Sequence, residues 1–217
     1  MGILDRIINL FHGYNWLIIP AAFFSVVFHE ISHGFVAYCL GDDTAKSRGR
    51  LSINPIKHID IFGLVCMIVF GFGWAKPVPI NPYYFKKRKL GIVLVSLAGP
   101  LSNMLQALIS ISLALIVSKF NAGNIVFEIL VQFFVILGIL NVSLAIFNLL
   151  PVPPLDGSKI LFSVLPDRSY SFVIEYERYG FLILFILLNV PFVSDFLYYL
   201  QQTVFGAMFN FMANIIF

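Results

Sequence analysis

Charged side chains are scarce in this chain, at 12% of its 217 residues, where soluble domains carry about a quarter. That scarcity excludes an ordinary water-soluble domain, which needs more polar surface than these residues supply. Cysteine is nearly absent. Cys39 and Cys66 are the two, with no CxxC pair, so a disulfide framework and a cysteine-built metal site are both excluded. They lie in or beside apolar stretches and read as packing residues. Histidine numbers four, too few for a di-iron centre of the desaturase kind. The net charge of +3 is too small for a nucleic-acid surface, and no long repeat or low-complexity linker divides the chain.

What is present is apolar: 59% hydrophobic residues and a mean hydropathy of +0.92. The expected fold class is therefore an all-α polytopic membrane protein, with residues 1–217 forming one integral membrane domain. After an amphipathic start (Ile3 to His12), the expected spans are Tyr14–Leu40, Gly91–Ser118, Ile125–Leu150, Phe181–Val193 and Phe196–Phe217. Ile61–Phe72 is short for a span of roughly 20 residues and reads as re-entrant or partly inserted. This gives five to six transmembrane or re-entrant segments. Leu51–Asn54 and Lys76–Ile80 add a short β-like interfacial element, whose edges could hold an extended peptide by β-augmentation.

Lysine and arginine are placed unevenly. Loops 44–60, 75–90 and 151–178 hold 12 of the 14, leaving Arg6 and Lys119. If Ile61–Phe72 dips in and returns, the three loops share one face, which the positive-inside rule makes cytoplasmic.

Two of the four histidines stand in His29-Glu30-Ile31-Ser32-His33, an H-E-x-x-H inside the first span. Chance gives about 0.001 copies of this pattern for a chain with so few His and Glu. On a helix, His29 and His33 lie one turn apart on one face, so both imidazoles can bind a single zinc ion with Glu30 beside it. Ionisable groups at membrane depth are costly unless paired or metal-bound, which favours this reading over a polar contact between helices. His33 is about 10 Å of helical rise from Leu40, so the site is expected to be submerged but nearer the cytoplasmic face.

Catalytic zinc takes three protein ligands and keeps one position open. Asp42, Asp43 and Asp60 lie in loops near the motif, Glu128 at the far end of its helix, and Glu175 and Glu177 before a later one. Asp156 stands apart, because Pro151, Pro153 and Pro154 break a membrane helix and leave its carboxylate in apolar surroundings. A lone Asp-Gly would read as a cap or turn; with H-E-x-x-H reaching the same half of the bilayer, Asp156 reads as the third ligand. Asn103, Gln106, Asn141, Ser143 and Asn148 are candidate lining residues of a polar cavity. His58, beside Lys57 and Asp60, reads as a loop histidine.

These residues resemble the site-2 protease family of intramembrane zinc metalloproteases. The resemblance covers most of the chain and rests on four elements in order: His29 to His33, Gly71 to Pro79 (GFGWAKPVP), Ala98 to Asn103 (AGPLSN), and Asn148 to Gly157 (NLLPVPPLDG). It implies one Zn2+ per chain held by His29, His33 and Asp156, with Glu30 as catalytic carboxylate. Asn148 would engage substrate or stabilise the reacting carbonyl. The expected activity is endopeptidase cleavage within or near the spans of transmembrane protein substrates. The alternatives are a glutamate-ligated membrane zincin of the prenyl-protease or heat-shock-protease type, and a metal transporter or silent metal binder. No stretch could form a PDZ insertion or a nucleotide-sensing domain, so a minimal form is expected. Its expected surroundings are the plasma membrane of a prokaryotic cell, with the lipid bilayer, substrate spans and an upstream site-1-type protease as partners.

Overall fold

The computed structural model describes residues 13–60, 63, 75–120, 123–165 and 179–217. Its elements are helical: α1 (Ile18–Cys39), α2 (Thr44–Ser47), α3 (Arg88–Ser118), α4 (Ile125–Asn148), α5 (Asp156–Val164), α6 (Gly180–Leu188) and α7 (Pro191–Ile216), with 3-10 turns at Asn15–Leu17, Pro55–His58 and Pro82–Tyr84. No strand occurs among the described residues.

Helix α1 tolerates Pro20 because it falls in the first turn, where a missing amide hydrogen costs nothing. Its 22 residues span about 33 Å, enough for the hydrocarbon core. Gly41, at φ +103, follows the last turn in the left-handed region that commonly ends helices. Helix α4 begins at Asn124, whose Oδ1 accepts from the Val126 amide at 2.9 Å, a side-chain cap for a free donor.

Helices α1 (with its preceding turn), α3 and α4 are each long and apolar enough to cross a membrane. The expected spans Phe181–Val193 and Phe196–Phe217 instead form a bent pair, α6 and α7, which together pass the same test with a 78° bend. Pro191 sets the break, since the residue before a proline avoids helical geometry. Ile61, Phe62 and Leu64 to Phe72 lie outside the described residues.

The β-like element takes another form. Leu51–Asn54 is irregular and runs into the Pro55–His58 turn, while Lys76–Ile80 has no regular secondary structure and is not paired as a strand. Pro77 and Pro79 remove ladder donors, and the guanidinium of buried Arg50 takes the carbonyls of Lys57, Lys76 and Pro77, the last two at 2.6 and 3.1 Å. Side-chain bonds replace the ladder.

Helix α3 is the centre of the bundle and packs against α1, α4, α5 and α7. Its inner face is rich in small residues, with Gly91, Ser96, Gly99, Ala107, Ser110 and Ala114 buried beside the larger Val95, Ile111 and Leu115, as suits close helix approach without a hydrophobic driving force. The outer face is apolar: Leu101, Leu105 and Ile109 repeat every four residues and are 51–62% exposed. Polar Ser25, His29, His33, Asn103, Asn141 and Asp156 are buried instead. A polar interior inside an apolar surface matches a lipid solvent.

Candidate active site

Helix α1 presents His29 and His33 on one face, and α5 begins with Asp156 opposite them. His33 Nε2 lies 3.0 Å from His29 Nε2, while Asp156 Oδ2 is 3.2 Å from His29 Nε2 and 3.0 Å from His33 Nε2. All three residues are buried.

The outer nitrogens settle which way the rings are protonated. His33 Nδ1 donates to the Val95 carbonyl at 2.7 Å, a group that can only accept. His29 Nδ1 meets Asn103 Oδ1 at 2.5 Å. The Asn103 amide is oriented by its own partners, since Nδ2 donates to Ser25 O at 3.2 Å and Asn141 Oδ1 at 2.6 Å. Asn141 Nδ2 in turn donates to the Leu137 carbonyl at 2.9 Å, which fixes its Oδ1 as the acceptor. With Nδ1 of each ring carrying its hydrogen, the neutral form of each imidazole aims its Nε2 lone pair at the other ring and at the carboxylate.

Three such lone pairs repel one another unless a cation sits among them. Asp156 Oδ2 is buried without a hydrogen-bond partner among the described residues, an orphan that a metal would satisfy. Ligand bonds of about 2.0–2.1 Å in a tetrahedron place ligand atoms about 3.3–3.4 Å apart, close to the 3.0–3.2 Å observed. Two imidazoles and one carboxylate suit zinc and leave its fourth position open.

The capping role for Asp156 is not seen: the N-cap of α5 is Leu155, and no side-chain cap bond is made there. Asp156 Oδ1 instead faces Lys159 Nζ at 3.3 Å, which leaves Oδ2 for the triangle. Gly157 is required by close approach, because a Cβ there would collide with the Leu149 and Leu150 carbonyls. Gly99 plays the corresponding part on α3. A Cβ on it would stand 2.5 Å from His29 Cε1 and His33 Nε2, so only glycine lets α3 pass over the two rings.

Glu30 is outside the ligand triangle, and its Oε2 accepts from the Val78 amide at 2.8 Å. Asn148 ends α4 and donates to its own Leu144 carbonyl at 3.0 Å. Both line a cavity of about 860 Å³ together with His29, His33, Asp156 and Lys159.

The other sequence candidates fall elsewhere. Asn103 and Asn141 are not on the cavity wall; they stand behind His29. Ser143 bonds its own helix at Ile139 O, and Gln106 Nε2 is buried without a partner among the described residues. Asp42 caps the turn at Thr44 and holds the Asn81 amide at 2.6 Å, Asp60 accepts from Gly63 N, and Glu128 lies in the first turn of α4. His58 donates from Nε2 to Ser52 O at 2.8 Å, as a loop histidine should. Glu175 and Glu177 lie outside the described residues. Val78, Lys159 and Gly99 had no assigned role at the site in the sequence.

Helices that can cross a membrane, with two histidines and one carboxylate placed to hold a metal ion and a second carboxylate outside that triangle, are the parts of a membrane metallopeptidase. The chain belongs to Peptidase family M50, the site-2 protease family, whose model matches residues 17–190. It is 44% identical over 77% of its length to YwhC of Bacillus subtilis, named as a zinc metalloprotease, and covers 77% of that protein. Rip2 of Mycolicibacterium smegmatis, also so named, is 31% identical over 82% of the chain and 69% of its own length. MJ0611 of Methanocaldococcus jannaschii, named likewise, is 34% identical over 62% of the chain and 63% of its own. No solved structure matches the chain.

Proposed function

We propose that this metalloprotease cleaves peptide bonds within or near the membrane spans of transmembrane protein substrates. The observation that carries the reading is the convergence of His29, His33 and Asp156 on one cavity in a bundle whose outer surface is apolar. In it, those three residues would hold one zinc ion, which when bound would polarise a carbonyl and make water far more acidic than in bulk. Glu30 is the proton carrier. The Val78 amide holds its Oε2, and Oε1 takes a proton from the attacking water and delivers it to the leaving amine. Asn148 keeps one Nδ2 hydrogen beyond its bond to Leu144 O for the substrate carbonyl or backbone.

A substrate helix hides its amides, so it must unwind before attack. The irregular 75–81 segment, part of the cavity wall, favours binding of an unwound stretch: Val78 O and the Ile80 amide and carbonyl have no hydrogen bond among the described residues. The finer topology of this reading has five or six segments, α1, α3, α4, α6 and α7 with Ile61–Phe72 re-entrant. The basic loops then face the cytoplasm of a prokaryotic cell, and the site opens to that side. An upstream site-1-type protease trims the substrate first.

The test is cleavage of single-span substrates by purified protein, with zinc content measured alongside and cut sites mapped by mass spectrometry. Wild type should cut inside or at the cytoplasmic edge of the span, faster where Gly, Pro or Asn weakens the helix. Glu30→Gln should keep its zinc and lose roughly 100-fold or more in turnover. Cuts confined to distant soluble loops, or near-normal turnover by zinc-loaded Glu30→Gln, would defeat the proposal.

A further inference from the structure

We propose that the groove between the end of α1 and the start of α3 binds one acidic phospholipid, its phosphodiester on Lys86 and Lys87 and an acyl chain along Leu90 and Leu94. The proposal rests on the reading that α1 and α3 cross a bilayer. The groove encloses about 480 Å³, with Cys39 and Leu40 on one wall and the Lys86 to Leu94 segment on the other.

Electrostatics select the ligand. Lys86, Lys87, Arg88 and Lys89 are four consecutive cations at the N-terminal, positive end of a 31-residue helix. The macrodipole favours acidic groups there and opposes cations, yet the first turn holds no acidic residue and the N-cap, Lys87, makes no side-chain cap bond. Two of the four charges are accommodated by the protein: Arg88 lies over the Tyr83 ring at 4.5 Å, and Lys89 Nζ reaches Leu165 O at 3.1 Å. Lys86 and Lys87 are exposed, and the described residues give their ammonium groups no partner. An anion at this point answers the repulsion among the cations, the two free ammonium groups and the open amides of the first helical turn together.

The apolar part of the groove decides between a lipid and a soluble phosphate. Leu90 and Leu94 lie one turn apart on α3 and are 51% and 41% exposed, on the side leading from the basic end of the helix into its apolar length. A free phosphate gains nothing from them. A phospholipid sets its headgroup at the lysines and its chain on the leucines, as basic pockets between membrane helices do.

Cys39 lies in the groove and is exposed, which provides a probe. Cys66→Ala leaves it as the single thiol, and a bimane attached there reports on a nearby acyl chain. The protein is placed in phosphatidylcholine nanodiscs doped with either phosphatidylglycerol or phosphatidylcholine brominated on the chain. Half-maximal quenching should need roughly tenfold less of the brominated acidic lipid. K86Q/K87Q should bring the two curves together, and inorganic phosphate at matched ionic strength should leave quenching unchanged. Equal curves with both lysines present, a preference that survives K86Q/K87Q, or displacement of the lipid by inorganic phosphate would each overturn the assignment.

Discussion

Substituting Gly99 by alanine tests the metal centre without touching a ligand. The new Cβ would stand 2.5 Å from His29 Cε1 and His33 Nε2 and 2.6 Å from His33 Cε1, whereas ordinary contact begins at 3.4 Å. The rings or α3 must therefore retreat by about 0.9 Å, while ligand distances in a metal site tolerate about 0.2 Å. The imidazoles cannot turn away freely, because Nδ1 of each is tied to Asn103 or Val95. We expect Gly99→Ala to weaken zinc binding by at least the 10- to 100-fold seen when groups supporting a metal ligand are lost. Zinc per chain would be measured after challenge with graded chelator, beside the melting temperature of the metal-free protein. Two controls calibrate the result: Gly206→Ala meets nothing within 4 Å, and Gly138→Ala meets side chains at 3.3 Å. Wild-type zinc retention by Gly99→Ala would refute the argument that α3 presses directly on the metal-binding rings.

Asp156→Ala should strip zinc and activity together, read by metal analysis; full occupancy would return Asp156 to a structural role and direct attention to Glu175 or Glu177. Asn103→Ala should lower zinc affinity roughly 10- to 100-fold while every ligand remains, since it frees His29 Nδ1 and orphans Asn141 Oδ1; unchanged affinity would reduce the asparagine pair to a contact between helices. Val78→Pro deletes the amide that holds Glu30, in a segment already flanked by Pro77 and Pro79. Turnover should fall several-fold or more with zinc content intact, and unaltered kcat would show that Glu30 needs no such support. For topology, a cysteine at Lys87 should label only after permeabilisation and one at Asn121 from outside; the reverse pattern would invert the orientation.

The class of protein was legible in the chain itself, and so were the three residues that the structure brings together, His29, His33 and Asp156, for local reasons. A spacing of four residues puts His29 and His33 on one helix face whatever surrounds them, and an apolar run without charge has no other stable setting than lipid or a deep core. Asp156 was legible because three prolines within four residues, 151, 153 and 154, break a helix, whereas a single one is carried through, as Pro100 is inside α3. The periodicity that predicted spans could not foresee the bent α6 and α7 pair. Nor could alternation predict that Lys76 to Ile80 would be held by Arg50 and Glu30 instead of a neighbouring strand, because that depends on residues 26 and 48 positions away.

What only the tertiary structure decided is how the ligands are aimed. His29 depends on Asn103, 74 residues on, and Asn103 on Asn141, 38 further; an asparagine in a membrane helix carries no mark of which helix it will face. Gly99 reads in sequence as a weak helix residue, and its purpose is visible only where α3 crosses the imidazoles. The sequence by itself determined which atoms can bind the metal, since that follows from side-chain chemistry and helical pitch. Their tautomers and separations were set by packing between segments far apart in the chain, for which no local pattern exists.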